Sequence, residues 1–348
     1  MIIAKRVVAL AAAAMACALF LETAMRLITL HALFGFAGSS IRDPVVGRLP
    51  KPGIVIHEPF GGMFTIGDHS VRLNRNPPVA ERPTIVAVGD SFTFGQDVGD
   101  SDSWPAALER LRGHRVVNGG VNAFGLDQAV LRGEQLTELY TPDLLIVGFI
   151  PHDVVRCEYS YFLGHPKPYF ELDGAGLSQH PPPVARSWLA PIRDRLLSTS
   201  MAAYLFEHSL VWEGPAEERV HGDGREVACR LMQRLADVAR AHRARVLVLA
   251  QSQASPDAAD VPIKDGVLAC ARANGLLTLD LFPVLGEVPE EERRKLFRGH
   301  MTPAGNLLVA KELANFIVAN ARFDAGGPRR EAELDDDRTV TRLRDHGA

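Results

Sequence analysis

The chain has 348 residues, 47% of them hydrophobic, and a net charge of -4. That is enough apolar material for one domain of about 280 residues beside an N-terminal anchor and a charged tail. The basic residues form no long runs, which excludes nucleic acid as the main partner. Cys17, Cys157, Cys229 and Cys270 make no CxxC pair, which argues against a cysteine-built metal site. With Cys17 in the apolar N-terminus, at most one disulfide can form among the other three, and buried free thiols are the plainer expectation.

Residues 1–40 decide the compartment. Lys5 and Arg6 precede an uncharged apolar run, Val7–Leu21, which resumes after Glu22 and Thr23 and stays largely apolar to Phe36. No small-x-small site ends the run, so a membrane anchor is expected ahead of a cleaved signal or a lipid-modified Cys17. The positive flank keeps the N-terminus inside and puts the remainder outside. The expected location is therefore the inner membrane, single-pass, with the main domain in the periplasm.

Residues 41–83 are rich in Pro and Gly, with short β-like pieces at Met63–Ile66 and Ser70–Leu73 around Gly67-Asp68. They are read as a linker and a small hairpin. From 84 to 322 strand and helix patterns alternate. Strands are expected at Thr84–Val88, Arg115–Val117, Leu144–Phe149, Arg245–Ala250 and Leu276–Leu281. Helices are expected at Trp104–Leu111, Asp127–Leu139, Arg225–His242, Val261–Asn274 and Pro303–Ala321. Alternation of this kind implies βαβ units, a mainly parallel sheet and right-handed crossovers. An insertion at about 158–215 interrupts it with Lys167–Leu172, Asp173-Gly174, Pro181–Pro183 and a helix around Trp188–Ser209. Residues 323–348 are charged and apolar-poor, which reads as a disordered tail.

Chemistry concentrates at two places. Val88-Gly89-Asp90-Ser91-Phe92-Thr93-Phe94-Gly95 directly follows the first strand of the domain. Ligands of open parallel sheets bind beyond the carboxyl ends of the strands, so Ser91 is placed for nucleophilic attack. Taken alone, the same Ser fits a helix cap equally well. Gly299-His300-Met301-Thr302-Pro303 precedes the last helix, and a lone His there commonly faces solvent. Together the two fit a nucleophile and its base. Asp90 is read as holding its turn through backbone N–H groups. The aromatic residues of the insertion are read as packing, with a sugar platform as the alternative. His165 and His180 are not read as metal ligands.

These blocks resemble the SGNH (GDSL) hydrolase superfamily, in particular membrane-anchored bacterial members with Gly-Asp-Ser-Phe-Thr-Phe-Gly, among them polysaccharide O-acetyltransferases. The similarity covers roughly 84–155 and 245–322, and the Lys167–Gly174 stretch resembles a hairpin those members insert. It implies a flavodoxin-like three-layer α/β/α sandwich with Ser91 as nucleophile and His300 as base. It also implies an oxyanion hole from Ser91, Ala123 and His152. Three positions depart from the family pattern: Ala123 takes a Gly slot, His152 an Asn slot, and Phe297-Arg298 the place of the acid before the His. Asp153 is the candidate to orient His300 instead.

The resulting expectation is an exported, membrane-anchored serine esterase or O-acyltransferase working on O-acyl esters, with acetyl on a polysaccharide foremost. The alternative is a catalytically degenerate module that binds glycan or a partner protein at the membrane. No metal or cofactor is implied.

Overall fold

In the computed structural model, residues 2–28, 40–58, 62–163, 165–174, 176–183, 200, 218–220 and 223–320 are described. The expected helix at Trp188–Ser209 and the tail from 323 lie outside these residues, apart from Ser200. The chain opens with helix α1 (Ile2–Ile28) and two antiparallel pairs, β1 (Ser40–Asp43) with β2 (Gly47–Pro50) and β3 (Val55–Glu58) with β4 (Gly62–Thr65). Among the described residues no helix is long and apolar enough to cross a membrane. The uninterrupted apolar run Val7–Leu21 rises only about 22 Å at helical pitch, against a hydrocarbon core of about 30 Å.

The centre is a five-stranded parallel sheet made of β5 (Ala80–Val88), β6 (His114–Asn118), β7 (Leu144–Phe149), β13 (Arg245–Ala250) and β14 (Leu277–Asp280). The strands lie in the order β14-β13-β7-β5-β6. In chain order that is 2-1-3-4-5 read from the β6 edge, the flavodoxin-like arrangement, whose ligand crevice opens where β5 and β7 diverge. Because side chains alternate, each strand feeds two apolar layers. Val86, Val88, Leu145, Val147, Val246 and Val248 pack under helices α4 (Leu126–Tyr140), α6 (Gly224–His242) and α7 (Asp260–Ala273). Ile85, Ala87, Leu144, Ile146, Leu247 and Leu249 pack under α3 (Trp104–Arg112) and α10 (Pro303–Ala319). Burial on both faces explains why these strands read as continuous apolar runs. Short helices α2 (Ser91–Phe94) and α5 (Pro151–Arg156) leave the ends of β5 and β7.

Two details add to or correct the sequence reading. Met63–Ile66 and Ser70–Leu73 share one antiparallel bridge, Ile66 with Arg72, and Arg72 bridges onward to Asn118 at the end of β6. The stretch thus extends the sheet edge and is not a free hairpin; Arg72 N donates to Asn118 O at 2.8 Å and Asn74 Nδ2 to Val116 O at 2.7 Å. Cys229 and Cys270, both expected as free thiols, form a disulfide between α6 and α7. Their helices pack side by side with the two Cα atoms 5.3 Å apart, inside the range that a disulfide spans. Cys157 is a buried free thiol.

Of the insertion, the described part is a small sheet of β8 (Tyr159–Phe162), β9 (His165–Pro166) and β12 (Glu218–Arg219), with a hairpin of β10 (Tyr169–Asp173) and β11 (Gly176–His180). One buried ion pair ties it down. Lys167 Nζ lies 2.5 Å from Asp127 Oδ2 on α4 and also donates to Tyr159 O at 3.0 Å and Pro168 O at 2.9 Å. All three ammonium donors are used, as a buried cation requires. Removing one partner strands the other charge, so Lys167→Met should lower stability by about 3 to 5 kcal/mol. Adding Asp127→Leu should restore most of that loss. Urea unfolding of both variants checks this, and a double variant as unstable as the single one would contradict it.

Candidate functional site

β5 ends in Gly89-Asp90-Ser91, and the turn is tight. A Cβ on Gly89 would meet Thr93 Oγ1 at 2.3 Å and the Gly148 carbonyl oxygen at 2.7 Å, so only glycine fits between β5 and β7. Asp90 caps α2 by accepting from Phe92 N at 2.9 Å. Ser91 is the first residue of α2, buried at the carboxyl end of the sheet.

His300 arrives from the far end of the chain. It lies in β16 (His300–Met301), which pairs with β15 (Phe297–Arg298) around a turn at Gly299. Asn306 of α10 fixes that approach: it donates to Met301 O and Thr302 O at 3.1 Å each and accepts from Trp104 N at 2.9 Å. His300 Nε2 is 3.0 Å from Ser91 Oγ. Its Nδ1 is 3.2 Å from Asp97 Oδ2. With Nδ1–H donating to the carboxylate, Nε2 is free to accept the serine proton. The hydroxyl, imidazole and carboxylate form one relay, the geometry that activates a serine nucleophile.

The acid was not among the sequence candidates. Asp153, the expected orienting group, is turned away: its carboxylate accepts from Ile150 N at 2.9 Å and from Arg156 Nη1 at 2.6 Å, capping α5. Asp97 follows the nucleophile by six positions in the loop that leaves α2, and its φ is +70°. Asp tolerates that left-handed region better than most residues. The available signal was an acid flanked by glycines in Gly95-Gln96-Asp97-Val98-Gly99, directly downstream of the serine block.

Of the other two oxyanion candidates, neither His152 nor Ala123 lines the cavity over Ser91. His152 is exposed on α5, with Nδ1 3.4 Å from Gln253 Nε2. It is Gln253, not His152, that lines the cavity at Ser91. Ala123 has φ +63°, so the turn accepts a Cβ in the conformation a glycine would take. It lines a separate cavity of about 20 Å³ with Asn122, Phe162 and Lys167. The cavity over Ser91 measures about 370 Å³ and is walled by Phe92, Ile150, Arg156, Gln253, Ser255 and His300.

Beneath this cavity two buried carboxyl groups share one guanidinium. Arg156 Nη1 lies 2.6 Å from Asp153 Oδ1 and 3.6 Å from Asp90 Oδ2, and it also donates to Phe124 O at 2.9 Å. Burial, then the Asp90 charge, pushes Asp153 well above the usual carboxylate range against the pull of Arg156. Burial raises Asp90 as well, against Arg156 and the Phe92 amide.

No protein-family model matches this chain, and no curated protein does. The solved structures similar to it are hydrolases of the GDSL and SGNH kind. One is a putative lipolytic protein of the G-D-S-L family from Desulfitobacterium hafniense DCB-2, at 16% identity and TM-score 0.42, covering 67% of this chain and 99% of that one. Another is Axe2, an acetylxylan esterase from Geobacillus stearothermophilus, at 13% identity and TM-score 0.39, covering 69% and 95%. A lipase/acylhydrolase from Enterococcus faecalis matches at 13% identity and TM-score 0.38, covering 68% and 96%.

The carboxyl pair gives a signed pH dependence. A folded-state pKa above the unfolded value means that the folded protein holds the proton more tightly, so stability falls as pH rises from about 4. Asp153→Asn removes the more strongly raised group. Its urea midpoint should therefore vary less than that of the wild type between about pH 4 and pH 7. An unchanged slope would show that Asp153 does not carry the effect.

Proposed function

We propose that this protein is an SGNH-type serine esterase or O-acyltransferase that acts on short acyl esters, acetyl foremost, of a polyhydroxylated polymer. The observation that carries the reading is the relay of Ser91 Oγ, His300 and Asp97 at 3.0 and 3.2 Å. Ser91 Oγ attacks the ester carbonyl carbon while His300 Nε2 takes its proton, and Asp97 stabilises the imidazolium. The Ser91 backbone N–H supports the oxyanion. Collapse of the tetrahedral intermediate returns the proton from His300 to the leaving alcohol. Water or a second hydroxyl then attacks the acyl-serine, with His300 again as base. Water gives hydrolysis, and a sugar hydroxyl gives transfer.

The cavity supports the substrate class. Its volume of about 370 Å³ suits a short acyl group. Arg156, Gln253 and Ser255 offer polar partners to a hydroxylated alcohol. The degenerate-module alternative rests on three altered positions, and for one of them, the acid, Asp97 Oδ2 at 3.2 Å from His300 Nδ1 supports the enzymatic reading.

A location outside the cytoplasm is part of the same proposal. The Cys229–Cys270 disulfide suits an oxidising compartment. α1 exposes Leu10, Met15, Leu19 and Phe20, an apolar surface suited to lipid contact behind Lys5 and Arg6. A reporter fused after Asp43 should be active only in its export-dependent form. Activity of a cytoplasm-only reporter would overturn the location.

For the chemistry, turnover of p-nitrophenyl acetate is the assay. Ser91→Ala should abolish it with the thermal transition near that of the wild type. Asp97→Asn should lower kcat by about 10³ to 10⁴, because the amide no longer fixes the imidazole tautomer. Turnover that survives Ser91→Ala, or an Asp97→Asn variant of wild-type rate, would end this reading.

A further inference from the structure

Asp97 sits in the left-handed region at φ +70°, a conformation Asp bears better than most residues but one that the surroundings still have to hold. The imposing group is a buried guanidinium. The Arg72 side chain is 0% exposed. Its Nη1 donates to Phe94 O at 2.8 Å and to Gly95 O at 2.5 Å, and its Nη2 donates to Val98 O at 2.6 Å. These carbonyls lie on both sides of Gln96 and Asp97, so one rigid fork spans the turn that carries the acid.

The fork is itself held from three directions. The rings of Phe64 and Phe94 flank its central carbon at 5.3 and 5.0 Å. Asp100 Oδ1 lies 3.6 Å from Nε, and Asp100 is fixed by Thr65 N at 2.8 Å and Thr65 Oγ1 at 2.7 Å. The Arg72 backbone is bonded to Asn118 at the end of β6. Gly95, at φ +84°, completes the fit, because a Cβ there would come within 3.1 Å of Nη1 and 2.5 Å of Ser103 Cβ. A guanidinium buried this deeply is expensive unless its donors are matched, so the loop carbonyls cannot move away without leaving a charge unpaired.

We propose that Arg72 is a positioning residue for the reaction: it locks the turn at Asp97 so that Oδ2 stays on His300 Nδ1, without touching substrate. This deepens the reading of Ser91, His300 and Asp97 as the catalytic relay and rests on it. A residue that only stabilised the fold would change the melting temperature and leave turnover by the folded protein alone. A positioning role for Arg72 shows in kcat with KM little changed, because the Asp97–His300 contact bears on the imidazolium formed in the transition state.

The test is a double-variant cycle on the full chain with p-nitrophenyl acetate. Arg72→Lys keeps the charge, but one ammonium cannot serve carbonyls on both sides of the turn. It should lower kcat by about 10² with KM near that of the wild type. In an Asp97→Asn background the same change should cost less than about threefold, since the carboxylate it positions is gone. If Arg72→Lys shows no thermal transition, Arg72→Gln, which keeps planar N–H donors, goes through the same cycle with the same criteria. Additive losses, or a loss confined to KM, overturn the proposal while leaving the catalytic reading intact. Turnover that persists in Ser91→Ala overturns both.

Discussion

A guanidinium with no access to water has to find its acceptors in the protein, and at Arg72 that constraint organises the site. The carbonyls of Phe94, Gly95 and Val98 serve it because α2 ends there, where the last helical carbonyls lack partners of their own. The helix end and the arginine therefore satisfy each other. Arg72 belongs to the stretch before β5, so a segment that resembles a linker supports the catalytic loop and continues the sheet edge beyond β6. Ser91, Asp97 and the support beneath both are thereby fixed at one corner of the fold.

The sequence disclosed the parts of the molecule that repeat a pattern. Leu144–Phe149 and Arg245–Ala250 are strands with the bounds their apolar runs suggested, because strands covered on both faces leave little ambiguity. β5 starts at Ala80, ahead of the expected Thr84, since its first residues are exposed and polar and carry no hydrophobic signal. Ser91 and His300 stood out through local motifs that reflect tight backbone packing. Asp97, Arg72 and the Cys229–Cys270 pair did not, because each depends on a contact between elements that no local spacing encodes. Asp153 was attractive for the opposite reason: it stands beside the expected block in sequence, yet its carboxylate is used to cap α5.

The departures from the family pattern now have separate physical meanings. Ala123 keeps the left-handed turn of a glycine, so that change leaves the backbone path intact. His152 lies at the rim, where it meets Gln253, and the amide of Gln253 is what borders the cavity. The carboxylate that faces His300 stands on the loop after Ser91 and not on the hairpin that carries His300. Arg156 completes the picture from below: with Asp90 and Asp153 around it, the floor of the cavity carries little net charge, and the substrate meets hydrogen-bonding groups more than a strong field.

The relocation of the acid also changes how the site can come apart. Ser91 and Asp97 are six positions apart on one loop, whereas His300 is 209 positions from Ser91 and is held by the short β15–β16 turn and the start of α10. Local opening of that C-terminal unit detaches the base while the nucleophile and acid keep their places. In native-state hydrogen exchange the amides around Thr302 and Asn306 then report the free energy of the inactive but folded state, distinct from the global unfolding free energy carried by β5 and β7. On the reading proposed above, such an opening separates His300 from Ser91 while β5 and β7 stay folded.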